Sequence, residues 1–159
     1  MFGVLRPFLS ASPFESDALV LIEPSVLEVL GKFRQDTAAK PESGGILLGY
    51  RRSSHLHIVE ATSPLSGDRQ SRFGFDRSAR GHREIALHRW RDSNGFIDYM
   101  GEWHSHPEME PCPSSIDISG WLAILKARKN TMLFIILGSG ADDWYGVGCN
   151  AELRKIKSP

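Results

Sequence analysis

Gly101-Glu102-Trp103-His104-Ser105-His106-Pro107, followed by Ser114-Ser115-Ile116-Asp117, is the stretch on which the reading of this chain turns. Side chains alternate across an extended backbone, so His104 and His106 project to one side if they end a strand. Ser114-x-x-Asp117 reads as the opening turn of a helix with Ser114 at the N-cap. Asp117 then faces back toward the imidazoles across a loop containing Pro107, Pro111 and Pro113. Two histidine nitrogens and one carboxylate oxygen are ordinary zinc donors, and three protein ligands leave the fourth tetrahedral position open, as in catalytic sites. Taken singly, His-x-His carries little meaning and Ser-x-x-Asp is often only a capping box. Together they are far more specific, because each supplies a metal-compatible donor at a strand end or a helix start.

The flanking sequence supplies a scaffold for that stretch. Ala18 to Ile22 reads as a short strand; Pro24 suits the first turn of a helix whose buried stripe is Val26, Val29, Leu30 and Phe33. Glu42 precedes Gly44-Gly45 and the apolar run Ile46 to Leu48, and Leu56 to Ala61 completes a hairpin around Arg51 to Ser54. His55 and His57 lack a downstream acid at suitable spacing and are read as exposed residues of an outer strand. Residues 63 to 75 read as a loop, 76 to 92 as a helix with Ala79, Ile85, Ala86 and Trp90 inward, and Asn94-Gly95 as a turn into the strand carrying the histidines. A helix over 115 to 129 follows, then Met132 to Leu137, an apolar run expected to be buried on both faces, and a last core strand from Trp144 to Cys149. Gly138-x-Gly140 lacks the third glycine of a dinucleotide fingerprint.

These residues resemble the JAMM (MPN-plus) metallopeptidase family, in its prokaryotic JAB-type branch. That family's signature is a distant Glu, then His-Ser/Thr-His, seven residues and Ser-x-x-Asp; here the seven are Pro107 to Pro113. The resemblance extends to Glu42-Ser43-Gly44-Gly45-Ile46-Leu47-Leu48-Gly49 and spans about residues 18 to 150. It implies a single-domain α/β fold, a mixed sheet with flanking helices of the cytidine-deaminase-like kind, with residues 1–17 as an extended arm and 18–159 as the domain. It implies Zn²⁺ held by His104, His106 and Asp117, with Glu42 as general base and Ser114 bonding the oxyanion. The implied reaction is hydrolysis after the C-terminal Gly of a ubiquitin-like modifier or its conjugates, including conjugates of a cGAS-like nucleotidyltransferase in anti-phage defence. Alternatives are the processing of a ubiquitin-like sulfur-carrier protein and a non-catalytic scaffold. Zinc deamination on the related fold is disfavoured, since His-x-Glu with Pro-Cys-x-x-Cys is missing.

Around the motif, Ser105 should point away from the metal, and Glu102 shares the face of the histidines as an acceptor to orient one of them. Cys112, in the bordering loop, is a thiol outside the ligand spacing.

The chain's 159 residues fit one domain, and 41% hydrophobic with 24% charged residues is a globular balance. Nineteen basic residues equal nineteen acidic ones, so global charge predicts neither a nucleic-acid nor a membrane partner. Two cysteines fit a reducing compartment, and no apolar stretch suits a signal or a membrane span, so the expected setting is cytoplasmic. One local imbalance stands out. Residues 69–91 hold seven arginines against Asp76 and Glu84, either a solvated helix face or a docking surface for an acidic partner.

Overall fold

In the computed structural model, which describes residues 6–157, the first half of the chain runs β1 (Phe8–Ala11), β2 (Leu19–Ile22), α1 (Pro24–Gly31), β3 (Gly44–Arg52), β4 (His55–Ala61), β5 (Arg69–Ser71) and β6 (Gly74–Asp76). It continues through α2 (Ala79–Asp92), β7 (Ile97–Ser105), α3 (Ser115–Arg128), β8 (Met132–Leu137), β9 (Asp143–Cys149) and β10 (Glu152–Lys155). Eight strands form one mixed sheet, ordered β1-β2-β4-β3-β7-β8-β9-β10, while β5 and β6 make a separate ribbon. The β2–β4 and β7–β8 pairs are parallel.

The uninterrupted apolar run of β8 explains the layering. All six of its residues are buried. Alternation sends Leu133, Ile135 and Leu137 to the face covered by Val26 and Leu30 of α1. Met132, Phe134 and Ile136 meet Trp121 and Leu125 of α3, with Ile85 and Ala86 of α2 packed alongside. A strand covered on both faces has no position for a polar side chain, and each large apolar residue so buried contributes about 1.5–3 kcal/mol.

Several elements differ from the sequence reading. Phe8, in the segment read as an arm, is buried in the core through β1; residues 1–5 of that segment lie outside the described residues. In α1, Leu27 rather than Val29 packs beside Val26 and Leu30. The loop expected over 63–75 holds the β5–β6 ribbon, and the basic tail adds β10 after a turn in which Asn150 and Ala151 both have positive φ. That two-residue geometry matches the twist of the paired strands, even without a glycine. β4 lies between β2 and β3, so His55 and His57 are not on an outer strand. His55 Nδ1 accepts the Leu19 N–H at 3.0 Å, and His57 Nε2 lies 2.6 Å from Glu23.

In α2, Ala79 and Trp90 are exposed, and the buried residue is His82. Its ring bridges Asp68 Oδ2 at 2.8 Å and Thr62 Oγ1 at 2.7 Å, and Thr62 O accepts the Trp103 indole N–H at 2.9 Å. A buried imidazole needs a partner on each nitrogen, and this one ties α2 to the 62–68 segment. No helix among the described residues is long and apolar enough to cross a membrane.

β7 carries one extra residue against β3: Leu47 faces Gly101 and Leu48 faces Tyr99, leaving Met100 in a bulge. Gly101 sits at φ 141°, and a Cβ there would lie 1.7 Å from the Leu133 carbonyl oxygen. We predict that Gly101→Ala lowers stability by about 3 kcal/mol or more in denaturant titration. Gly120→Ala, in α3 with no atom near the added methyl, should raise it by about 0.5–1 kcal/mol.

Candidate metal centre

The central strand β7 lies between β3, antiparallel to it, and β8, parallel to it, with His104 opposite Gly44 on one side and Ile136 on the other. His106 leaves the strand but is held at its end by an N–H bond to Leu137 O of 2.8 Å. α3 opens beside them with a complete capping box. Ser114 Oγ accepts the Asp117 N–H at 3.1 Å, and Asp117 Oδ2 accepts the Ser114 N–H at 2.8 Å. The cap that starts the helix therefore also fixes the carboxylate.

Three donor groups converge as a result. His104 Nε2 and His106 Nε2 are 2.9 Å apart, Asp117 Oδ1 is 3.3 Å from the first and Oδ2 is 3.4 Å from the second. Donors 2.0–2.1 Å from a tetrahedral zinc ion lie roughly 3.3 Å from one another. The cluster His104, His106 and Asp117 thus fits a divalent cation by spacing and by donor chemistry.

The electrostatics agree with that fit. Burial alone would raise the Asp117 carboxyl, but hydrogen bonds to both histidines and to the Ser114 N–H hold it far below the usual carboxylate range. Burial lowers His106, and Asp117, Glu42 and Glu108 outweigh it, so the net shift is upward. A carboxylate and two imidazole nitrogens are pressed together where a cation would meet all three donors.

Glu42 shares a cleft of about 640 Å³ with His104, His106, Ser114 and Asp117. It precedes β3, whose start lies beside the end of β7, and Gly44 lets the chain approach closely, since a Cβ there would be 2.8 Å from Trp103 O. Burial pushes the Glu42 carboxyl up to about 7, with Asp117 and Glu108 adding to the rise and His106 opposing it. The β5–β6 ribbon forms the opposite wall through Arg69, Phe73 and Phe75, and exposed Ile116 lies on the α3 side.

All five residues singled out in the sequence, Glu42, His104, His106, Ser114 and Asp117, line this cleft. Ser105 points away and is fully buried. Glu102, expected to orient a histidine, instead pairs with Arg77 and accepts the Tyr99 O–H at 3.1 Å. The strand parity was right, but the nearest strong donor, Arg77, comes from the segment just before α2. Cys112 is exposed and outside the cluster. Glu108, which the spacing did not single out, lies 3.5 Å from His106 Nδ1, the ring nitrogen turned from the cluster. Its place directly after His106-Pro107 was the available signal.

Three of the seven arginines in residues 69–91 are paired with carboxylates of the chain itself. Arg77 pairs with Glu102, Arg80 with Glu84 and Arg89 with Glu60. Arg83 lines a groove of about 520 Å³ between α2 and α3, together with Trp90, Leu87, Ile124 and Arg128.

Residues 26–146 match the family described as prokaryotic homologs of the JAB domain. An Escherichia coli protein named CD-NTase/cGAS isopeptidase is 38% identical over 141 residues, 89% of each chain. Proteins of the same name from Pseudomonas aeruginosa and Vibrio cholerae are each 38% identical, over 80% of this chain and 82% of the first, and 83% of this chain and of the second. A solution structure of a Desulfitobacterium hafniense protein covers 84% of this chain and 87% of its own at a TM-score of 0.58 and 16% identity, a likeness of fold. By that match over residues 26–146, the chain belongs to the prokaryotic JAB-domain family.

Proposed function

We propose that this protein is a zinc-dependent isopeptidase that cleaves after the C-terminal glycine of a ubiquitin-like modifier or its conjugates, conjugates of a cGAS-like nucleotidyltransferase among them. The observation that carries this is the convergence of His104, His106 and Asp117 in the cleft that Glu42 lines. The name CD-NTase/cGAS isopeptidase, borne by relatives matching most of the chain, supports the choice of substrate. The expected setting is the cytoplasm.

A zinc ion held by His104, His106 and Asp117 supplies a Lewis acid and, by lowering the pKa of water, a nucleophile near neutral pH. Glu42 takes a proton from the attacking water and returns it to the leaving amine, and a carboxyl raised to about 7 suits a group that must do both. The Ser114 oxygen accepts the Asp117 N–H, so its own hydrogen is free for the oxyanion that develops on the substrate carbonyl. The cleft between the ribbon and α3 suits a thin, extended chain terminus, which a strand edge can align through main-chain bonds. An acidic partner of the arginine-rich segment would engage Arg83 and Arg128 in the groove beside Trp90.

The test uses a conjugate of a cGAS-like nucleotidyltransferase whose linkage is a C-terminal glycine joined to a lysine side chain, with products read by mass spectrometry. Glu42→Ala should keep stoichiometric zinc and lose cleavage by about 10²- to 10⁴-fold. His104→Ala and Asp117→Ala should lose the metal itself. Full activity of the Glu42 variant would remove its role, and zinc binding without any cleavage would favour a scaffold. Trimming of a sulfur carrier, with the conjugate left intact, would favour the processing alternative.

A second prediction concerns pH. The Glu42 pKa in the folded chain, about 7, exceeds the ordinary 4.5, so ionising this group costs folding stability as pH rises through that window. In metal-free protein, Glu42→Gln should therefore melt higher than wild type at pH 8, and the difference should vanish by pH 4. An equal difference at both pH values would contradict the buried, raised carboxyl.

A further inference from the structure

Between the metal ligands and Glu42 lies a set of buried polar groups that the reaction does not use. Gln35, just past α1, is only 4% exposed. Its Nε2 donates to Lys40 O at 3.2 Å and to Arg72 O, at the tip of the β5–β6 ribbon, at 3.0 Å. Its Oε1 accepts the Ser105 hydroxyl at 3.2 Å. The same Ser105 oxygen accepts the Ser43 N–H at 2.9 Å, and the Ser105 N–H donates to Ser43 O at 2.8 Å. On the other flank, the Glu42 N–H donates to Ser71 O at 2.7 Å, and Gln70 Nε2 donates to Glu42 O at 3.1 Å and to Ser43 Oγ at 3.0 Å.

We propose that Gln35 is a positioning residue that, through Ser105 and with Gln70, fixes the Glu42 backbone relative to the two histidines. This rests on the isopeptidase reading above. Both backbone polar groups of Glu42 are taken by the ribbon, and both of Ser43 by Ser105, so the only freedom left at Glu42 is in its side-chain torsions. Ser105 stands between the two histidines, so the bonds that seat the base start from the residue that the ligands flank. Gln35 joins that point to the ribbon tip. A buried amide with three partners is costly to leave unmatched, which makes the geometry stiff. Stiffness matters here because a displacement of about 1 Å in a reacting group can cost about a hundredfold in rate.

The experiment uses the full chain with zinc and two variants. Gln35→Met removes the buried amide at similar volume; Gln70→Ala removes an exposed side chain, so it tests the same seat where unfolding is not at issue. Amide hydrogen exchange at Glu42 and Ser43 is followed along with kcat and KM on the glycine-linked conjugate. In both variants zinc content and β8 exchange should stay as in wild type, while exchange at Glu42 and Ser43 rises about tenfold. The kcat should fall about tenfold to a hundredfold with KM within about twofold. Gln35→Met combined with Ser105→Ala should lose little more than the worse single variant, since both sit in one network. Unchanged exchange in both variants would overturn the proposal whatever the activity, as would a loss confined to KM or one that follows loss of zinc. Raised exchange at residues 42 and 43, in a protein whose wild type cleaves no conjugate, would uphold the positioning and overturn the isopeptidase reading.

Discussion

Lone pairs on two imidazole nitrogens 2.9 Å apart repel one another unless a proton or a cation stands between them. The chain imposes that closeness by several independent means. β7 is clamped between β3 and β8, the bulge at Met100 and Gly101 sets its course, and the capping box of α3 brings Asp117 to the same point. Behind this corner, Arg34 bonds Asp143 at 2.5 Å and Gly138 O at 2.9 Å, and Ser139 N–H holds Glu108 O at 2.8 Å. The turn between β8 and β9 thus backs the loop that leads from His106 to Asp117. Rigid elements surround the cluster, which holds its three donors at one spacing, as the proposed metal site requires.

Two carboxyls in the same cleft are driven in opposite directions. Asp117 accepts a backbone N–H and faces two imidazoles, so its charged form is favoured; Glu42 has burial and two neighbouring carboxylates against it, so its neutral form is within reach near pH 7. In the reaction proposed above, this separation divides their tasks, one holding a charge and the other exchanging a proton.

How far this was legible in the sequence depended on what each residue's signal contained. His104, His106 and Asp117 could be read because strand parity and helix capping are local rules, and β8 because a strand covered on both faces needs an unbroken apolar run. The β5–β6 ribbon was missed because Arg69-Gln70-Ser71 is exposed throughout and carries no alternation. β10 followed a turn built from Asn150 and Ala151, which lacks the usual glycine. His82 was hidden among arginines, since its partners Asp68 and Thr62 meet it only through tertiary folding. The same holds for Glu102, whose face followed from parity while its partner Arg77 did not, and for Gln35, whose bonds reach residues 40, 72 and 105.

The alignment of Gly44 with His104 joins positions 60 residues apart in the chain. A ribosome therefore finishes Glu42 long before the histidines exist, and α3 must emerge later still. Until those distant strands close on one another, Glu42 and the cluster of His104, His106 and Asp117 do not share a cleft. Long-range pairing of this kind folds slowly, so the protein's own topology delays assembly of the cleft until β7 and the start of α3 have been made.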